Sequence, residues 1–107
     1  MGNAAKFKWL IAWDFHKKPR RTFYEIYVDE FRDAPELQHL QRSVVLAQDD
    51  FTARRLRALL TYYGADVCAF AVNGHNLDSD QQANHEANEF VVRVHAQRLS
   101  RRGRRRA

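Results

Sequence analysis

The stretch KWLIAWDF (residues 8–15) is a near-continuous apolar run that leads into a charged loop. A run of this kind is typical of a central β-strand that is covered on at least one face. The loop that follows, residues 16–21, is basic and contains Pro19. We therefore predict the first strand of the domain here, with Asp14 close to its end.

A helix and two short strands are predicted next. Thr22 and Glu25 have the spacing of a capping box, and the helix that they open is expected to end before Pro35. Residues 37–48 favour extended structure, most strongly in their second half. Ser43 lies where this segment is expected to bend into two strands.

A second helix is predicted from a cap at Asp50 or Thr52 to Gly64, since glycine is favoured just beyond the carboxyl end of a helix. Another apolar strand is predicted over residues 67–72. The order of strand, helix, two strands, helix and strand predicts an α+β fold. This order of elements is typical of a ferredoxin-like β-α-β-β-α-β sandwich, whose core we predict in residues 1–74.

The carboxyl-terminal part of the chain divides into two predicted segments. In residues 75–99 the spacing of the apolar residues favours a C-terminal helix, although Phe90, Val92 and Val94 also alternate as in an edge strand. Residues 100–107 form a basic, arginine-rich tail.

Charge is distributed unevenly along the chain. Seven of the 18 Lys+Arg are arginines between Arg93 and Ala107, which leaves 11 against 13 Asp+Glu in the rest. Like charges in such a block repel one another and rarely help a fold, but they release counterions from a polyphosphate. Nucleic acid, either DNA or RNA, is therefore the predicted partner; the alternative is a solvated tail that only promotes solubility. The predicted nucleic-acid-binding residues of this region are Arg98, Arg101, Arg102, Arg104, Arg105 and Arg106.

A second basic region is predicted at one edge of the sheet. The first and third strands are central neighbours in a ferredoxin-like sheet, and we expect the helices that follow them to begin at the same edge. Cations in the first turn of a helix oppose its dipole, so the arginines that open the second helix are expected to face an external anion. The alternative is a rim of mixed charge. The predicted phosphate-binding residues are Lys17, Lys18, Arg20, Arg21, Arg54 and Arg55.

Asp14 is a candidate functional residue because it interrupts an apolar run. A carboxylate that is desolvated in such a run is expensive unless it has a partner or a task. It is available as a metal ligand. The alternative is a structural cap on the basic loop that follows.

Cysteine content and hydropathy indicate the cellular compartment in which the protein is expected. Cys68 is the only cysteine, so no internal disulfide can form and a reducing compartment is expected. Because it lies in an apolar run, Cys68 is predicted to be a small buried hydrophobe. The amino-terminal apolar stretch stops at Asp14, which is too short for a signal peptide or a membrane span. A cytoplasmic protein without membrane association is predicted.

The order of these motifs resembles a known family. Trp13-Asp14-Phe15 ends the first strand, and after a helix the segment QRSVVLAQD (residues 41–49) leads into an Arg- and Leu-rich helix. This arrangement looks like the small CRISPR-associated adaptation protein that partners the integrase. It also looks like that protein's toxin-like relatives, including virulence-associated protein D. The resemblance covers residues 8–73.

The resemblance implies a homodimer with a ferredoxin-like fold, in which paired first-strand aspartates hold one divalent metal ion at the dimer interface. By this match Asp14 is the metal carboxylate and Ser43 is a hydroxyl that lines the site. Both are thus candidate catalytic residues, with Mg²⁺ or Mn²⁺ as the implied cofactor. Members of the family that act as nucleases cut RNA or DNA, whereas others scaffold DNA for integration.

Three functions are compatible with these observations. The first is a dimeric nucleic-acid-binding protein that acts as a metal-dependent endonuclease at Asp14. The second is a non-catalytic scaffold or adaptor that binds nucleic acid and a protein partner. The third is a protein encoded by a virus or mobile element that attaches to a ribonucleoprotein through its tail.

Overall fold

The computed structural model describes the backbone of residues 7–71 and 77–106, and the side chains of the same residues except 79 and 102–106. Within these ranges the chain forms, in order, β1 (Trp9–Phe15), α1 (Arg21–Tyr27), β2 (Leu37–Gln41), β3 (Val44–Ala47), α2 (Asp50–Tyr62), β4 (Ala65–Ala71) and α3 (Gln81–Arg106). A π-helical turn (Val28–Arg32) continues α1, and a 3₁₀ turn (Leu77–Ser79) precedes α3.

The strands form one antiparallel sheet in the order β2-β3-β1-β4. Within it β1 is central, because Leu10 lies opposite Leu46 of β3 on one side and opposite Phe70 of β4 on the other. The described residues thus form a small α+β domain, and the strand order is compatible with the predicted ferredoxin-like arrangement. β4 begins at Ala65 rather than at residue 67. The predicted strand end at residue 72 and the predicted core boundary at residue 74 lie outside the described residues.

One face of the sheet carries the core. Side chains alternate along a strand, and the residues of β1 on this face include Trp9 at 2% exposure and Ile11 at 0%. They belong to one cluster with Leu56 and Leu59 of α2. Burial of side chains of this size contributes about 1.5–3 kcal/mol each. This packing holds α2 along β1 and so determines which residues meet at each end of the sheet.

The opposite face of the sheet is open in the described part of the chain, and its side chains are largely apolar. Leu10 and Leu46 are half-buried there, whereas Phe70 is 58% exposed. Cys68 lies on the same face and is exposed, so the prediction of a buried cysteine is wrong. The apolar run of β4 supplies both faces of the sheet, and its composition alone does not distinguish the covered face from the open one.

Both helix starts differ from the prediction in their capping residues. Arg20 occupies the N-cap of α1 without a side-chain hydrogen bond, and Thr22 is buried inside the helix. At α2 the N-cap is Asp49, whose carboxylate accepts a hydrogen bond from the Thr52 N–H at 2.6 Å. Gly64 follows α2 with φ +91°, as predicted, since glycine adopts this left-handed conformation without strain.

The segment that precedes the tail is helical, which confirms the favoured alternative. The carboxylate of Asp80 accepts a hydrogen bond from the Ala83 N–H at 3.0 Å, at the start of α3. The helix packs mainly on α2, buries Phe90 and Val94 among other residues, and continues without a break to Arg106. Among the described residues, no helix combines the length and apolar character that a membrane span requires.

Candidate nucleic-acid interface

The direction of the two central strands determines what gathers at each edge of the sheet. β1 and β3 are antiparallel, with Trp9 opposite Ala47 and Ala12 opposite Val44. The end of β1 therefore lies beside the start of β3, and α1 and α2 begin at opposite edges. The prediction that both helices begin at one edge is wrong, because neighbouring strands that run in opposite directions end at opposite edges.

The predicted basic region is consequently split in two. We call the end of β1 the Asp14 edge; it carries Asp14, the loop of residues 16–20 and the turn that contains Ser43. We call the other end the Asp50 edge; it carries the start of α2. There Asp50 accepts a hydrogen bond from the indole N–H of Trp9 at 2.7 Å, which ties the start of β1 to α2.

Asp14 is exposed on the open face of the sheet, so it does not carry the desolvation penalty of a buried carboxylate. In the register of β1 and β4 it lies directly opposite Asp66. Asp66 forms a side-chain hydrogen bond with His16. That bond, and then the charges of Asp66 and Asp14, raise the pKa of His16 above its usual 6.5. When protonated, His16 therefore offsets part of the negative charge of this edge.

Ser43 lies at the same edge, in the turn between β2 and β3. Its carbonyl accepts a hydrogen bond from the Trp13 N–H at 3.1 Å. Trp13 precedes Asp14, so the two candidate catalytic residues stand at the same end of neighbouring strands. The structure thus brings Asp14 and Ser43 together at one edge.

The basic loop forms one wall of an open groove at the Asp14 edge, and the carboxyl end of α2 forms the other. This loop groove is lined by residues 16–20 and 62–64, has a volume of about 580 Å³, and has no carboxylate among its lining residues. Lys17, Lys18 and Arg20 are all exposed. Arg21 follows the loop and pairs with Glu25 at 3.4 Å, while its side chain remains 89% exposed.

The arginines of α2 have partners inside the protein. Arg54 donates a hydrogen bond to the carbonyl of Leu77 at 3.4 Å. Arg57 pairs with Asp78 at 3.1 Å and donates to Asn84 at 3.1 Å. These contacts hold the 3₁₀ turn and the start of α3 against α2. They are a structural cause for cations in the first turns of α2, in place of the predicted external anion.

Arg55 is stacked between two aromatic rings. Its guanidinium carbon lies 4.1 Å from the centroid of Phe51 and 3.9 Å from that of Phe90. Cation–π contacts of this kind contribute about 0.5–1 kcal/mol each at exposed sites. Burial, followed by repulsion from Arg93, lowers the pKa of Arg55. Arg55 therefore joins α2 to α3, and its contacts do not support the predicted role in phosphate binding.

The arginines of α3 differ in their surroundings. Arg98 pairs with Asp29 of the π-helical turn, and its side chain is only 16% exposed. Arg101 is exposed. The helical backbone continues through the other predicted contacts of the tail, which are Arg102, Arg104, Arg105 and Arg106. Arg98 thus anchors the helix. The backbone of the predicted nucleic-acid-binding residues beyond it is part of the same helix.

The predicted metal site is shared between two copies, so the ligands of one chain are only part of it. Within residues 7–71 and 77–106, no group of three or more His, Cys, Asp or Glu side chains could hold a metal ion. Within these described residues, Asp14 and Asp66 therefore do not belong to a group of three such side chains that could hold a metal ion.

Two tyrosines that line the loop groove, Tyr62 and Tyr63, have no local sequence signal of a functional role. Tyr62 is the last residue of α2 and is 47% exposed. In the sequence, the position of the pair just before Gly64 indicates the end of an amphipathic helix. Its place opposite the basic loop depends on how β1 and α2 pack, which no local pattern encodes.

No protein-family model matches the chain, and no curated protein or solved structure matches it either. The geometry of the Asp14 edge and the charge of α3 therefore carry the functional conclusion.

Proposed function

We propose that this chain is a nucleic-acid-binding protein with a ferredoxin-like fold, related to the small CRISPR-associated adaptation protein that its motifs resemble. It binds through two basic surfaces, the loop groove and the arginine-rich end of α3. The observation that carries the proposal is that Lys17, Lys18 and Arg20 line a groove without a carboxylate among its lining residues. Grouped cations favour a polyphosphate because its condensed counterions are released on binding.

The carboxyl end of α2 offsets only part of the positive charge of the loop groove. A helix terminus carries the equivalent of about half an elementary charge, negative at its carboxyl end. The three cations of the opposite wall exceed that charge several times over. They also outnumber Asp14 and Asp66 beside the groove, so the loop groove keeps a net positive character. His16 adds to it when protonated, since it lies on the same wall.

We further propose that the protein acts as a homodimer in which a second copy covers the open face of the sheet. Leu46, Leu10 and Phe70 lie in one row across β3, β1 and β4 on that face. Contiguous exposed apolar patches often mark interaction sites. The family resemblance implies a homodimer with the first-strand aspartates at its interface, and Asp14 lies on this face.

Metal-dependent cleavage of the bound nucleic acid is a second candidate function. It is favoured because Asp14, Asp66 and Ser43 all lie at the Asp14 edge, beside the loop groove. Because the described residues of one chain hold no group of three or more candidate ligands, we propose that Mg²⁺ or Mn²⁺ is held by the Asp14 carboxylates of two copies. Without that ion, the protein serves as a non-catalytic scaffold or adaptor for nucleic acid and a protein partner. Attachment to a ribonucleoprotein through the tail is one form of that role.

Binding is tested by fluorescence anisotropy with a labelled single-stranded oligonucleotide. A variant that combines Lys17→Ala, Lys18→Ala and Arg20→Ala loses three cations of the loop groove. We expect weaker binding and a plot of log K against log salt that is shallower by about 2 units, at ~0.7 per phosphate contact.

The control combines Lys8→Ala and Arg32→Ala, which removes two exposed cations that do not line the loop groove, one fewer than the loop variant removes. It should retain nearly the slope of the unaltered chain. Equal effects of the loop and control variants would show that the loop groove is not a specific binding surface.

A further inference from the structure

We infer that the loop groove takes an unpaired nucleotide, with its base stacked on Tyr62 and its phosphates against the loop cations. The protein would then prefer single-stranded nucleic acid to duplex. This inference rests on the proposed function and names the form of nucleic acid that the site accepts.

The ring of Tyr62 is fixed in place yet half open. It packs edge-to-face on Tyr63, with centroids 5.1 Å apart and planes at 71°. It also contacts the ring of His95 on α3, with centroids 5.2 Å apart. Nevertheless 47% of the residue is exposed. A ring that is already ordered loses little conformational entropy when a ligand stacks on it.

The support beneath Tyr62 is itself anchored in the core. The hydroxyl of Tyr63 lies 2.5 Å from Nδ1 of His95. The ring of Tyr63 meets that of Phe23 at 5.7 Å, and Phe23 is only 4% exposed. Tyr62 is therefore presented by a rigid base rather than by a mobile loop end.

The two walls of the loop groove are complementary in chemistry. The α2 wall offers an aromatic surface, and the loop wall offers Lys17, Lys18 and Arg20. Proteins that bind single strands without sequence preference combine such features, a stacking ring for bases and cations for the backbone. The volume of about 580 Å³ lies within the range of roughly 300–1,000 Å³ that is usual for small-ligand sites.

A duplex would use only half of this site. Its bases are stacked inside the helix, and extruding one costs a few kcal/mol. The loop cations would still contact its phosphates, but Tyr62 would have no base to stack on. An unpaired nucleotide meets both walls without that penalty.

The test compares two oligonucleotides of equal charge on the unaltered protein by fluorescence anisotropy. One is oligothymidine of about 12 nucleotides, within the site sizes usual for single-strand binding, and the other is an abasic strand of equal length. Because the phosphates are equal in number, tighter binding of oligothymidine reports on its bases. We expect it to bind tighter by roughly 5- to 150-fold, the effect of one stacked base.

Substitutions then locate the effect. Tyr62→Ala should weaken oligothymidine binding by a similar factor and leave the abasic strand unchanged, whereas Tyr62→Phe should keep the preference. The matched control is Tyr24→Ala. Tyr24 is 45% exposed and packs edge-to-face on Phe23 at 5.3 Å, but it does not line the loop groove. It should leave both affinities unchanged.

Each outcome separates this inference from the proposed function. Equal affinity of the unaltered protein for the two strands would overturn the stacked base and leave nucleic-acid binding intact. Equal loss of both strands in Tyr62→Ala would also overturn it, since that result means a damaged groove. Failure to bind either strand at low salt would defeat the proposed function itself. The comparison of oligothymidine with the abasic strand needs no substitution. It therefore tests the stacked base even if Tyr62→Ala does not fold.

Discussion

Asp14 lies directly opposite Asp66 in the register of β1 and β4, and both carboxylates are exposed on the open face of the sheet. Side chains that are directly opposed in a sheet point to the same face. We therefore expect that, without a metal ion at Asp14, this end of the open face repels phosphates and the loop groove beside it attracts them. The pair thus separates the surface proposed for nucleic acid from the surface proposed for the dimer.

The first prediction concerns the titration of His16. Its pKa is raised by the hydrogen bond to Asp66 and then by the charges of Asp66 and Asp14, so NMR should show a midpoint above 6.5. Asp66→Asn should lower the midpoint more than Asp14→Asn, because Asp66 supplies the larger effects. A midpoint at or below 6.5 in the unaltered protein would contradict this account of the Asp14 edge.

The sign of the pH dependence follows from that raised value. The folded state binds the His16 proton more tightly than the unfolded state does, so the associated stability is fully present below pH 6.5. It is lost as the pH rises through the folded-state pKa. Nucleic-acid binding should weaken over the same window, because His16 lines the loop groove and loses its charge there.

The second prediction concerns the start of α2. Asp49→Ala removes the side chain that caps the Thr52 N–H, and it should lower the free energy of unfolding by about 1 kcal/mol in urea denaturation. Asp49→Asn should keep most of the stability. Asp33→Ala is the control, since its side chain is 86% exposed and should change stability by less than about 0.5 kcal/mol. If Asp49→Ala proves as neutral as Asp33→Ala, the cap assignment is wrong.

The elements of this fold can be predicted because each has a local signal. The apolar run of β1, Gly64 at the end of α2 and the helical spacing before the tail each lie within a few residues of the structure that they specify. Capping residues are less predictable, because Asp49, Asp50 and Thr52 are all suitable for a cap. Only the geometry of the first turn selects Asp49.

The candidate site is less predictable because its contacts are long-range. Arg54, Arg55 and Arg57 form contacts with the 3₁₀ turn and α3, far along the chain. When these partners are not known, the charges of Arg54 and Arg55 predict an anion site. The prediction that α1 and α2 begin at one edge is wrong for a geometric reason, since antiparallel central strands require them to begin at opposite edges.

The third prediction concerns assembly. Light scattering at micromolar concentration should give about twice the chain mass of 12.6 kDa. Phe70→Glu should yield the monomer, because it places a charge in the apolar row of the open face. Val92→Glu is the matched control, since Val92 is 53% exposed on α3, away from the sheet, and it should remain dimeric. A clean monomer of the unaltered chain would also remove the shared metal site.

The fourth prediction concerns cleavage. If Asp14 of two copies binds Mg²⁺ or Mn²⁺, cleavage of RNA or DNA should require the ion and fall by orders of magnitude in Asp14→Asn. The substitution keeps the size of the side chain but loses the charge that hard cations require. Binding should change little, because the loop groove and the tail remain. If the unaltered protein cuts neither single- nor double-stranded substrates with either ion, the scaffold function is the correct one.

The salt dependence of nucleic-acid binding tests the central claim most directly. It is measured on a single-stranded oligonucleotide with the full chain and with a chain that lacks residues 100–107, which carry five arginines. We predict a steep slope of log K against log salt for the full chain. In the shortened chain it should be shallower by up to about 3.5 units, at ~0.7 per phosphate contact, with a remainder from the loop groove. The absence of binding at low salt, or a slope that the deletion leaves unchanged, would contradict the account.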